Sequence, residues 1–145
     1  MTVTIPTFDY DAMYATEPTV WRERGLHWHC YSWRGTGRDW ADDKMRADDQ
    51  AEITPSAVRA WLRKNPRLIR ATFSTPEDAA AWSLEQWSKA RAEALTPVPE
   101  WVTDANQEAM TVYDLRCGTD VSKGLWVKGP SMVSWSVVGT SDRCH

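Results

Sequence analysis

Chemistry in this sequence begins with His27 and His29, two of its three histidines. They are two residues apart, so on a β-strand both imidazoles project from the same side. Three uses suit such a pair. It can give two nitrogens to Zn²⁺, with Cys117, Cys144 or His145 completing a tetrahedron. It can do acid–base work in a hydrolase or transferase, because imidazole titrates near neutral pH. Or it can hydrogen-bond to neighbours or to a ligand. The zinc set lacks any Cys-x-x-Cys or His-x-x-x-His spacing and its members are scattered, so neither a metal nor a cofactor is expected. Cys30 follows directly, but the alternation turns it away from both histidines, which counts against a thiol nucleophile served by either. Buried, inert thiols are the default.

The histidines sit in a longer alternating run. Leu26, Trp28 and Cys30 form an apolar side, and His27, His29, Tyr31 and Trp33 form a row of rings with polar handles. Arg70 and Trp126 fall on the same side of the strands assigned below. The candidate binding set is therefore His27, His29, Tyr31, Trp33, Arg70 and Trp126. Tyr31, Trp33 and Trp126 with Arg70 suit a planar ring or a protein partner, since Trp, Tyr and Arg dominate binding hot spots. The competing reading is that an N-terminal segment carrying Phe8, Tyr10 and Tyr14 folds across this face and buries it.

Other charged clusters have ordinary explanations. Asp39, Asp42 and Asp43 are close enough on a helix to hold Mg²⁺, but acid runs usually mark solvated helices. Arg59, Arg63, Lys64, Arg67 and Arg70 form a run without an acid that suits an anion or acidic surface. The preferred reading is that it meets the chain's own acids at 39–52. Arg34-Gly35-Thr36-Gly37-Arg38 lacks the Gly-Lys-Ser/Thr of a P-loop; its backbone N–H groups and two arginines suit an anion, but the preferred reading is a flexible turn.

The chain has 145 residues, enough for one domain with its own core and no disulfide or metal staple. Ten Trp against two Phe is unusual, and implies that some indoles lie at the surface or in a cleft. A net charge of −3 disfavours general nucleic-acid binding, which requires neutralising phosphates. Three cysteines fit a reducing compartment. The N-terminus does not resemble a signal peptide and no stretch is apolar enough to span a membrane, so a soluble, cytoplasmic protein is expected. Its Arg-, Ala-, Asp- and Trp-rich composition is of the kind GC-rich genomes encode, those of phages and mobile elements included.

These side chains need elements to hold them. Thr16-Glu17-Pro18 starts a short helix ending at Gly25, with Val20 and Trp21 facing in. A strand follows over 26–33. Thr54-Pro55 starts a helix with Val58, Trp61 and Leu62 as its stripe, stopped by Asn65-Pro66. Arg67 to Phe73 reads as a strand with Ile69, Ala71 and Phe73 on one side. Ser74-Thr75-Pro76-Glu77-Asp78 is the strongest helix start in the chain, opening a helix over 76–94 with Ala80, Leu84, Trp87 and Ala94 as its buried stripe. Thr96-Pro97-Val98-Pro99 is an internal crossover. Met110 to Cys117, Gly124 to Lys128 and Ser131 to Val138 read as a three-strand meander, with Leu125, Val127, Val133, Trp135 and Val137 facing in and Trp126, Ser134 and Ser136 facing out. Residues 141–145 read as a frayed tail.

Together these predict one α+β domain over 1–145: an antiparallel sheet of about four to five strands, covered on one face by two to three helices, with the His-bearing face open. The function expected is a small non-enzymatic binding protein that uses that face for a protein partner or a small, anionic, nucleotide-like ligand. The two other readings are an enzyme using His27 and His29, and a homo-oligomer that spends the aromatic face on self-association.

Overall fold

In the computed structural model, which describes residues 9–141, the alternating run becomes β1 (His27–Gly35). It pairs along its length with β4 (Ser131–Thr140), from His27 opposite Thr140 to Gly35 opposite Met132. The short β2 (Ala71–Phe73) lies on its other side, with His29 opposite Thr72. β3 (Val121–Val127) pairs with β4 and forms the far edge. The order is β2-β1-β4-β3, antiparallel throughout. The β3 edge is partly closed. Leu95 N–H donates to the Trp126 carbonyl and Lys128 N–H to the Glu93 carbonyl, both at 2.9 Å. Pro97 and Pro99 follow, and lacking N–H groups they cannot extend this pairing.

One face carries the helices. α5 (Pro76–Ala92) begins as expected: the Thr75 hydroxyl accepts from Asp78 N–H, proline occupies the first turn, and Glu77 and Asp78 follow. Its buried stripe is Pro76, Ala79, Ala80, Ser83, Trp87 and Ala90, small enough to bring the helix close to the sheet. Beneath it lie Leu26, Trp28, Cys30 and Val137, then Trp135 and Val127. Trp135 Nε1–H donates to Ser83 Oγ at 3.1 Å, so this indole is buried with its donor satisfied. Two short helices, α1 (Tyr10–Ala15) and α2 (Val20–Glu23), pack on the same side; Trp21 of α2 lies 5.8 Å from the Trp28 ring.

The segment over Met110–Cys117 is a correction. It belongs to the helix α6 (Asp104–Arg116), not to a strand. Thr103 caps it by accepting from Asn106 N–H, Asp104 sits in the first turn, and the buried residues Thr111 and Leu115 are four apart, on one helical face. Lys123 of β3 reaches across to it, donating to Gln107 Oε1 at 2.9 Å and Thr111 Oγ1 at 3.0 Å. Burial lowers the Lys123 pKa and raises that of Asp114, while each charge partly offsets the other's shift. The meander is therefore a helix followed by the β3–β4 hairpin, and β2 is the sheet's fourth strand.

The second correction concerns the other face, which is not open. Residues between β1 and β2 fold across it as α3 (Gly37–Trp40), α4 (Asp43–Ala47) and two 3₁₀ turns, Val58–Arg63 and Pro66–Leu68. The turns replace the helix expected after Thr54-Pro55 and the first half of the strand expected from Arg67. The reason is visible at Thr54. Its hydroxyl caps nothing and instead meets Ser134 Oγ at 2.5 Å, both residues being buried. Trp61 lies flat on Tyr31, with centroids 4.6 Å apart and planes within 10°, and its Nε1–H donates to Ser136 Oγ at 3.2 Å. The hydroxyls of the outer sheet face thus gain partners from the segment that covers them, and the apolar rings beside them leave water.

Lys64 anchors this cover. Its ammonium is buried and donates to the carbonyls of Asp48 and Ala51 at 3.0 and 2.7 Å, and burial lowers its pKa against the pull of Asp49 and Asp48. Arg63 pairs with Asp49 and Arg67 with Glu52, as the sequence led us to expect for the basic run and the acidic stretch. Asp120 accepts from Gly139 N–H and pairs with Arg59 at 3.0 Å, tying the cover to the β3–β4 end of the sheet.

Candidate functional site

The strand phase puts His27 and His29 on the covered face, as the alternation required. His29 is 4% exposed and His27 is half-buried. Their Nε2 atoms are 3.2 Å apart, with ring planes at 85°, and His29 Nδ1 lies 3.0 Å from Thr72 Oγ1. Imidazole nitrogens and a hydroxyl form one continuous chain along the sheet. Cys30 faces the helices, fully buried, and burial pushes its thiol up to about 12, so it is no nucleophile at neutral pH. Cys117 ends α6 and is half-buried. Cys144 and His145 lie outside the described residues, as does Phe8. Among the described residues no group of three or more His, Cys, Asp or Glu side chains converges on a point, the Asp39, Asp42 and Asp43 trio included. Asp42 instead caps α4, accepting from Met45 N–H.

Tyr31 is 2% exposed beneath Trp61, so it offers no open platform. Among the described residues the cover comes from residues 37–69; of the expected N-terminal aromatics, Tyr14 packs edge-on to Tyr113 of α6. Trp33 is half-buried, with its ring 5.8 Å from that of Trp40, and the Arg46 guanidinium caps the stack 3.8 Å from the Trp40 ring. Gly35 and Gly37 leave room for this: a Cβ on Gly35 would stand 2.2 Å from Trp33 Cζ2, and one on Gly37 2.9 Å from Trp126 Cη2. Trp126 is 44% exposed above Gly37. The six candidate residues thus separate into a sequestered group (His27, His29, Tyr31), the exposed Trp126, and Trp33 with Arg70.

Trp33 and Arg70 meet in a cleft that the sequence did not indicate. It is an open cleft of about 310 Å³ between the end of β1 and the last turns of α5, lined by Ser32, Trp33, Arg34, Arg70, Gln86, Lys89, Ala90, Glu93 and Val133. Arg34 pairs with Glu93 at 3.2 Å and Lys89 with Glu85 at 3.0 Å. These pairs are exposed and worth well under about 1 kcal/mol each, so they yield easily to a competing anion. Arg70 has no acid partner among the described residues. Three cations and one carboxylate therefore line the cleft, beside the apolar Ala90 and Val133. The sequence offered Arg34 only as part of a loop that could hold an anion, and missed Lys89 and Glu93, because these residues come from separate elements and acquire meaning only when packed. A second groove, of about 320 Å³, runs along Asp11, Tyr14, Trp101, Val102, Gln107 and Met110, with Trp101 77% exposed.

Comparison of the chain with protein-family models, with curated proteins and with solved structures returned no match.

Proposed function

We propose that this is a non-enzymatic binding protein that holds a small anionic, nucleotide-like ligand in the cleft between β1 and α5. One observation carries the reading: Arg34, Arg70 and Lys89 line one open cleft with a single lining carboxylate, beside the apolar Ala90 and Val133. Guanidinium groups suit phosphate, and Ala90 and Val133 supply apolar contact for the body of a ligand. A binding role is further supported by the buried Cys30 thiol, which offers no nucleophile. Isothermal titration at low salt with adenosine and guanosine mono- and diphosphates tests it. The expected result is micromolar binding to wild type, weakened about tenfold (about 1.4 kcal/mol) by Arg70→Ala or Lys89→Ala. No heat at millimolar nucleotide, or affinity indifferent to both substitutions, would sink it. A protein partner is the second reading, favoured by the exposure of Trp101 beside Met110 and Tyr14.

A further inference from the structure

We propose that His27 and His29 form a two-imidazole clamp for Zn²⁺, on the opposite sheet face from the cleft and near the other end of β1. The argument is geometric. Two nitrogens bound to a tetrahedral zinc at about 2.0–2.1 Å stand roughly 3.3–3.4 Å apart. The two Nε2 atoms are 3.2 Å apart, with the ring planes at 85° and the ring faces not stacked.

The outer contact fits the same role. A zinc-bound histidine characteristically gives its remaining N–H to an oxygen, which fixes the tautomer and aims the lone pair at the metal. His29 Nδ1 has that oxygen in Thr72 Oγ1 at 3.0 Å, across the β1–β2 pair. With Nδ1–H donated to Thr72, the His29 Nε2 lone pair points at His27. The pair then holds either a proton carried by His27 along the Nε2–Nε2 line, or a cation set to one side of that line at about 2.0–2.1 Å from each nitrogen. Burial of His29 in the sheet holds the geometry without the ion, so little side-chain order is lost on binding. The clamp supplies two positions and leaves two for water or a further donor.

The test is titration of chelator-stripped full-length protein with zinc chloride at pH 7.5, read by calorimetry and by the melting temperature. One-to-one binding at micromolar affinity or tighter is expected, with a rise in melting temperature. His27→Ala, at the more exposed of the two rings, should weaken binding at least a hundredfold while far-ultraviolet circular dichroism stays unchanged. Thr72→Val, which touches no metal, should weaken it about tenfold. Absence of binding at 100 micromolar zinc (about a hundred times a micromolar dissociation constant), or binding that His27→Ala leaves unchanged, would overturn the clamp. Nucleotide binding in the cleft stands or falls separately, because none of these residues lines it.

Discussion

At the scale of single residues, Cys30 gives the clearest pH signature. Its thiol is held neutral by burial to about 12, whereas in the unfolded chain it ionises near the ordinary value of 9.0. A group whose folded pKa is raised contributes its stability fully below the unfolded value and loses it as pH rises toward the folded one. Urea unfolding should therefore show wild type losing about 1 kcal/mol per pH unit between 9 and 12 beyond the loss in Cys30→Ala. Equal slopes would mean that the thiol is not shielded. Gly35 is the residue most easily misread. In the sequence it belongs to a flexible turn; in the structure it closes β1 beneath the Trp33 ring. Gly35→Ala should cost about 1–3 kcal/mol by overpacking, and should abolish the exciton signal of the Trp33–Trp40 pair in far-ultraviolet circular dichroism. Glycine reads as freedom in a sequence, and only the neighbouring indole shows that it is a matter of space.

At the scale of elements, α5 and the faces of β1, β3 and β4 were legible because their signals are local. A capped, proline-led acidic start and a period-two alternation need no knowledge of partners. α6 was not legible from Met110 onward, because its apolar residues are few and its start lies upstream in a stretch that gave no pattern. The informative signal was Thr103-Asp104, a hydroxyl cap with an acid behind it. Thr103→Ala should cost about 1 kcal/mol in urea denaturation, through loss of the bond from Asn106 N–H. A change below a few tenths would show that α6 is held by packing alone. The 3₁₀ turns failed for the opposite reason. Thr54 carries a good capping signal, but a hydroxyl on the sheet eighty residues away competes for it.

At the scale of the whole molecule, the alternation correctly sorted side chains into two faces and could not say what lies over each. The sheet face with histidines and serines looks wet in sequence because its cover is polar where it meets them: Trp61 Nε1 for Ser136, Thr54 for Ser134. The cleft was illegible for a related reason, since Arg34, Arg70 and Lys89 share no sequence pattern and are joined only by folding. Trp61→Ala tests the cover. It removes a stacked, 2%-exposed ring and should cost about 3–5 kcal/mol, with Tyr31 becoming accessible to quenchers. The pairing of β1 with β4 has a further consequence for biosynthesis. The two inner strands are residues 27–35 and 131–140, so a growing chain carries β1, both long helices and the whole cover before the strand that β1 needs has left the ribosome. Until then β1 has only three residues of β2 beside it, and Trp28, Cys30 and Tyr31 have no complete core to enter. This sheet therefore completes only after residues 131–140 are made, and nascent chains stalled before residue 131 are the species most in need of a chaperone.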